Sequence, residues 1–487
     1  MATTAESLPE VQLAPAQIAG IWVRHLTSLL LPVNALAFLW TGPHPWYIAP
    51  LFMMPVVVAH YFDCRQRVEQ RQPVESLPAW PFDALVYALA ALQIVVVVSL
   101  VHLFTLQGAF SLDMIMVFIV VGGNSGFSII TAHELIHRKK PWEQWLGRVL
   151  LGSVLYEHFY TEHLRGHHVR VGTPDDPATA RFGEDYESFF KRTVPAQFKS
   201  AWRLEKRRLG DADMSNFDRR MLRNRIVHGL VLEWGFAFAV FAAFGFAAFA
   251  AFVLQAWSAV RLLEAVNYFE HWGLRRASRR VQPVDSWDTH SWFTYYGLTG
   301  LSRHADHHAW PARPFQQLRV WDEAPILPYG YVGMVDQVLE KNDEFQQEAA
   351  AELARRRLGP FVDEGLANDP DSAARQLAEA QAEERRGPGR TSWLARAWTG
   401  LPLWLRRVLF LGGLVTATAV GVQWESGADS WLTAERWLLH AWILAVFTAV
   451  IVGRRRLQDQ IGNEVVAWAA SFVVLVGVGW LTSTLVG

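Results

Sequence analysis

Residues 83–106 read DALVYALAALQIVVVVSLVHLFTL, a run whose one charged side chain is Asp83 and whose length can cross the hydrocarbon core of a bilayer. A segment of this kind can satisfy its backbone polar groups only within its own helix, so it commits the chain to a helical membrane architecture. Comparable runs occupy 19–40, 46–62, 112–132, 226–246 and 248–268, followed by 402–422, 435–453 and 464–486; the run at 46–62 is short. Composition agrees, with 51% hydrophobic and only 19% charged residues, below the ~25% charged content of soluble domains. The expected fold is all-α and polytopic: a six-span core followed by three further spans. The apolar stretch 145–160 carries Arg148 and Glu157 and reads as a partly buried or re-entrant helix.

Lysine and arginine fall in alternate loops. Arg65, Arg67 and Arg71 follow the second run, Arg138, Lys139 and Lys140 the fourth, and Arg454, Arg455 and Arg456 the eighth. The loops at 41–45, 107–111, around 247 and at 423–434 hold none. By the positive-inside rule the basic loops are cytoplasmic, which puts the N-terminus inside and Gly487 outside, in an inner (cytoplasmic) membrane. No cleavable signal peptide is visible in residues 1–18, which lack lysine and arginine. A net charge of −1 gives no reason to expect a nucleic-acid partner.

Nine of the 17 histidines fall into four tight clusters, all on the face assigned to the cytoplasm. His133 and His137 lie in HELIH, His163, His167 and His168 in HLRGHH, His271 in NYFEHWGL, and His304, His307 and His308 in RHADHH. HELIH alone matches a zinc metalloprotease, with two imidazoles on one helix face and a glutamate as base. That reading needs one further acidic ligand and leaves seven clustered histidines without a role. Single interfacial histidines are ordinary; HxxxH, HxxxHH and HxxHH together on one membrane face are not. Nine imidazoles can serve two metals with four or five ligands each, and such ligands suit iron, copper, nickel and zinc. A dinuclear all-histidine site at a membrane surface is most economically an iron site for oxygen chemistry.

These motifs carry a resemblance. HELIHRKK, EHLRGHHVRVGTPDDPATARFGE, SAWRLEKRRL, NYFEHWGLRR, LSRHADHHAWPARPFQQLR and LPYGY make the chain, from about residue 18 to 345, similar to the integral-membrane alkane 1-monooxygenases of the membrane fatty-acid desaturase and hydroxylase superfamily. The HxxxHH spacing sets it apart from acyl desaturases. The resemblance implies insertion of one atom of O2 into the terminal methyl C–H of an n-alkane. It also implies two Fe ions held by His133, His137, His163, His167, His168, His271, His304, His307 and His308. Glu134, Glu162, Asp176, Glu270 and Asp306 lie inside the same motifs and are the candidates for orienting those imidazoles. Hydroxylation of an alkylaromatic methyl group, or desaturation of an acyl chain, is the alternative within the superfamily. A histidine-bearing scaffold without activity is the alternative outside it.

His60, His102, His228 and His440 have no clustered partner and read as packing or interfacial residues; His158 and His290 stay without a role. The single cysteine, Cys64, excludes a disulfide framework and the paired CxxC motifs of a fused rubredoxin. Electrons should therefore come from a separate rubredoxin or ferredoxin with its reductase. Lys139, Lys140, Arg192, Lys206, Arg207 and Arg208 are candidate contacts for such an acidic carrier. The expected organisation is a catalytic core at 1–360, a charged soluble helix and Gly-Pro-punctuated linker at 361–400, and a three-span extension at 401–487.

Overall fold

The computed structural model describes residues 13–64, 68–74, 77–106, 112–362, 370–386 and 460–486, with isolated positions between 405 and 458. Among the described residues there is no β-strand. Helices α1 (Pro15–His25) and α2 (Leu30–Thr41) run on through a 3₁₀ turn as one candidate span, and α3 (Met54–Cys64) is a shorter apolar helix. Helix α4 (Ala79–Leu106) follows. Helices α5 (Leu112–Met116) and α6 (Gly122–His137) join through a π turn at Val117–Val121 to make the next candidate span.

The stretch Arg225–His271, α11, is two helices rather than one. Gly245 sits at φ 83°, ψ 177°, a conformation open to glycine, and the chain turns back there. The rings of Phe236 and Phe252 lie 5.3 Å apart, where a continuous helix would separate residues 16 apart by ~24 Å. The two runs at 226–246 and 248–268 are thus antiparallel neighbours. Against the second of them α6 packs closely: a Cβ on Gly122 or Gly126 would overlap Ser258 or Leu262. Small residues at this spacing let two membrane helices approach where no hydrophobic effect draws them together.

The other half of the molecule is built from α7 (Pro141–Gly152), α8 (Phe159–Glu162), α9 (His168–Arg170), α10 (Tyr186–Arg208), α12 (Trp292–Gly297), α13 (His304–Ala309), α14 (Tyr331–Glu340), α15 (Asn342–Arg356) and α16 (Pro370–Arg386). The apolar stretch 145–160 resolves into the end of α7 and an irregular segment, with Arg148 paired to Glu157 at 2.5 Å. Trp272, Trp287, Tyr331 and Phe345 are fully buried in the core of this half. Asp63, at the end of α3, ties the two halves together. It accepts the hydroxyls of Ser291 and Thr294 and the N–H groups of Val332 (2.7 Å) and Gly333 (3.2 Å) at the start of α14.

Helix α16 falls where a charged soluble helix and linker are expected, and Ala373 and Leu377 are buried in the same core as Leu353 and Phe361. Gln381 donates to Gln346 at 2.9 Å, and Ala380 lies against Gly183. Helix α17 (Glu464–Val486) is long and apolar enough to cross a membrane and packs against α3. The expected spans at 402–422 and 435–453 lie outside the described residues, isolated positions apart.

Candidate metal centre

His133 and His137 stand four residues apart on one face at the end of α6, as HELIH requires. The HLRGHH box is less regular. Between α8 and α9 the backbone takes a π turn over His163–His167. In α geometry residues five apart point ~140° away from one another. The i→i+5 bonding of the π turn cancels most of that angle, and the Nε2 atoms of His163 and His168 come to 3.0 Å. The turn is clamped from outside: the Glu162 carboxylate meets Arg170 at 2.5 Å over Gly166, where a Cβ would strike both. Arg170 also donates to Ser200 of α10 at 2.7 Å. Burial pushes Glu162 up to about 7, against the pull of Arg170.

Five imidazoles converge here: His133, His137, His163, His168 and His307, with one ligand atom from each within 4.8 Å of all the others. His137 Nε2 is 3.0 Å from His163 Nε2, and His307 Nε2 is 3.2 Å from His168 Nε2. No carboxylate among the described residues hydrogen-bonds to any of the five.

A second gathering lies alongside, made by His167, His271 at the end of α11, and His304 and His308 one turn apart on α13. His308 Nε2 is 2.9 Å from His304 Nε2 and 3.3 Å from His167 Nε2; His304 Nε2 is 3.3 Å from His271 Nε2. Two carboxylates touch this group. Asp176 meets His167 Nδ1 at 2.9 Å, taking a further 2.6 Å hydrogen bond from the Thr179 hydroxyl. Glu270 Oε2 lies 3.3 Å from His304 Nε2 while Tyr331 donates to its other oxygen at 2.7 Å. The two groups meet where the His168 ring stacks on His308 at 4.4 Å.

The electrostatics favour bare nitrogen lone pairs. Burial, followed by mutual repulsion among the rings, holds His163, His168, His304, His307 and His308 well below the usual imidazole range, so all five are neutral at pH 7. Burial acts to raise Asp176, but the neighbouring His167 and the bond from Thr179 outweigh it, and its carboxyl sits below the ordinary value. An ionised Asp176 fixes the proton of His167 on Nδ1 and turns a bare Nε2 toward the group.

The residues fit metal ions. Coordination bonds of ~2.1 Å put neighbouring ligand nitrogens ~3.0–3.4 Å apart, close to the spacings seen. A chain of hydrogen bonds among the first five imidazoles leaves the buried Nε2 of His133 without a partner, which a cation at the centre would supply.

All nine clustered histidines are thus brought together. Of the five carboxylates singled out from the sequence, Asp176 and Glu270 contact imidazoles. Glu134 is instead paired with Arg138 at 3.2 Å, Glu162 braces the π turn, and Asp306 holds Arg313 (2.5 Å) and the Trp321 indole (2.8 Å) behind α13. Three contributors were not singled out from the sequence: Thr179 and Tyr331, which orient Asp176 and Glu270 and lie inside the quoted PATARFGE and LPYGY stretches, and Asp288, outside any motif, which accepts the Ala305 N–H at 2.7 Å and sets α13 in place. His158 meets the Tyr156 ring edge-on, and His290 pairs with Gln70 at 2.6 Å; neither joins the groups. His60 lies near Asp336, His228 near the Leu222 carbonyl, and His102 is exposed, while His440 lies outside the described residues. Among the basic residues, Arg192 is held by Glu184, Arg208 by Glu205, and Lys206 by the Met214 carbonyl; Lys139, Lys140 and Arg207 are exposed.

Comparison with known proteins agrees with this geometry. Residues 110–337 match the fatty acid desaturase family. An alkane 1-monooxygenase of Acinetobacter baylyi is 35% identical over 271 residues, which is 54% of this chain and 66% of the relative. Alkane 1-monooxygenase 1 of Pseudomonas aeruginosa is 40% identical over 213 residues (42% and 55%), and alkane 1-monooxygenase 2 of Alcanivorax borkumensis 36% over 245 (48% and 62%). The matched region spans between about half and just under two thirds of the length of these relatives.

Proposed function

This chain belongs to the alkane monooxygenase family of the fatty acid desaturase superfamily, and on that premise we propose that it inserts one atom of O2 into the terminal methyl group of n-alkanes, giving primary alcohols. The observation that carries the reading is the convergence of nine imidazoles, six buried and three half-buried, into two adjoining groups. His133, His137, His163, His168 and His307 would hold one iron, and His167, His271, His304 and His308 the other, with Glu270 beside it. Iron suits imidazole and, unlike zinc, has the redox chemistry needed to activate dioxygen. The chain's own residues do the rest. Asp176 and Thr179 keep His167 in the correct tautomer, Tyr331 steadies Glu270, and the Glu162–Arg170 clamp holds the π turn that presents His163 and His168 together.

A hydrocarbon would arrive from the lipid. A small cavity of about 30 Å³, lined by Leu31, Leu89, Phe127 and Ile130 but also by Gln93 and Asn124, lies against α6 in the membrane half and reaches Thr131 just before His133. The metal-bearing face would be cytoplasmic, in an inner membrane, and electrons would come from a separate rubredoxin or ferredoxin and its reductase. The test is O2-dependent turnover of iron-loaded protein with rubredoxin and reductase on n-alkanes, alkylaromatics and acyl chains. 1-Alkanol as the main product is expected; an alkene, or oxidation of alkylaromatics alone, would refute the alkane reading.

A further inference from the structure

Where α1 and α3 end, an open cleft of about 600 Å³ is lined by Arg24, Val68, Glu69, Gln70, Arg71 and Trp292. Trp22, just before Arg24, donates to the Pro81 carbonyl at the start of α4 (2.9 Å), and Glu69 lies shortly beyond the end of α3 at Cys64. The cleft thus stands level with the ends of three apolar helices, at the depth of lipid head groups. Helix α12, which carries Trp292 and Tyr296, packs against both α1 and α3.

One end of the cleft is polar and ordered. Tyr296 donates to Glu69 at 2.9 Å and accepts from Arg24 and Arg71 at 3.4 Å each, so two guanidinium groups converge on one hydroxyl. Arg71 Nε also donates to Glu69, at 2.9 Å. Burial acts to raise Glu69, but the bonds from Arg71 and Tyr296 outweigh it, and its carboxyl sits below the ordinary value. The ionised Glu69 offsets Arg71, whereas Arg24 forms no ion pair among the described residues. The lining side chains are left with one net positive charge. The surroundings are apolar: Val23 beside Arg24 and Phe62 in the last turn of α3 are each 55% exposed. The Trp292 ring lies 5.0 Å from that of Tyr296, and tryptophan is favoured at this depth of a membrane.

We infer that this cleft binds the head group of an anionic phospholipid, its phosphodiester on Arg24 and Arg71 and its acyl chains along Val23 and Phe62. A phosphodiester carries one negative charge, which matches the single uncompensated cation; a phosphomonoester or polyphosphate would bring more charge than the cleft neutralises. Guanidinium forks suit phosphate oxygens, and basic pockets beside membrane helices select anionic head groups. A choline lipid offers the same phosphate but sets a second cation beside the two arginines. The volume is that of a small-ligand site. The cleft lies apart from the imidazole groups, although Arg303, which precedes His304, donates to the Arg71 carbonyl at 2.6 Å.

The test is lipid binding by the full-length chain in dodecyl maltoside, read by native mass spectrometry. Phosphatidylglycerol should bind about fivefold or more tightly than phosphatidylcholine. Arg24→Gln should remove that preference, Arg24→Lys should keep most of it, and Lys139→Gln, a basic residue elsewhere, should leave it whole. Equal affinity for the two lipids in the wild-type chain would overturn the inference whether or not the variants fold. A preference that survives Arg24→Gln would overturn it too. Displacement of the bound lipid by inorganic phosphate at equal concentration would make this a site for soluble phosphate and contradict the lipid assignment.

Discussion

The two histidine groups sit side by side, share the π turn and α13 as sources, and differ in one respect that matters. The first is five imidazoles with no carboxylate hydrogen-bonded to any of them; the second is four imidazoles with Asp176 and Glu270 in contact. A cation in the first would keep its full charge in a buried setting, whereas a cation in the second is partly neutralised. Carboxylates that orient and polarise ligating histidines raise metal affinity, so the second position should bind more tightly and be harder to reduce. Nearly equal geometry with unequal charge would give two bound metals unequal tasks.

The largest effects should follow loss of a ligand. His163→Ala in the first group and His271→Ala in the second should each bring hydroxylation below detection and take bound iron from about two per chain to about one. Iron analysis beside turnover checks this, and retained activity in either variant would break the pairing of the groups into one centre.

Acid should separate them next. A buried imidazole whose folded pKa lies below 6.5 stays neutral while the unfolded chain takes up protons, so stability and metal retention are full above pH 6.5 and fall as pH drops below it. Each such group contributes up to about 1.4 kcal/mol per pH unit. Outside the membrane helices, the strongly shifted His163, His168 and His307 belong to the carboxylate-free group, and His304 and His308 to the other. Iron release on lowering the pH should come in two steps, the first group emptying first. A single step at one pH would remove the distinction.

A smaller change sharpens the comparison from the other side. Asp176→Asn should weaken iron binding in the second group by about 10–100-fold and leave the first alone, as competition with a chelator would show. Equal loss from both groups would mean that Asp176 supports the centre as a whole.

The least change is expected from the C-terminal end. A chain stopped after Arg386 keeps α16 on the metal-bearing half and should retain both irons and turnover. Leu377→Ala, in the buried face of α16, should cost about 2–5 kcal/mol of stability, read from thermal unfolding. Full activity and stability in a chain that also lacks α16 would show that this helix has no part in the core.

Much of this was legible from residue order, for identifiable reasons. HELIH announces its geometry because i and i+4 share a helix face, and the antiparallel halves of α11 announce themselves as two apolar runs too long to be one span. The division of HLRGHH between two groups was not legible: it depends on a π turn, and no local pattern distinguishes that turn from an α-helix. The five motif carboxylates looked alike in sequence. What separates Asp176 from Asp306 is which side of its element faces the imidazoles, and tertiary packing of Thr179, Arg313 and Trp321 decides that. Helix α16 reads as a charged soluble helix, but its docking was not legible: Ala373 and Leu377 are the sparse apolar face of a polar helix, and only the groove waiting for them makes them core.

The unequal charge of the two groups is most directly tested by Mössbauer spectroscopy of the full chain loaded with ⁵⁷Fe in the reduced state. Two quadrupole doublets of equal area are expected, with Asp176→Asn shifting one and leaving the other in place. A single doublet, or two that both move in Asp176→Asn, would contradict it.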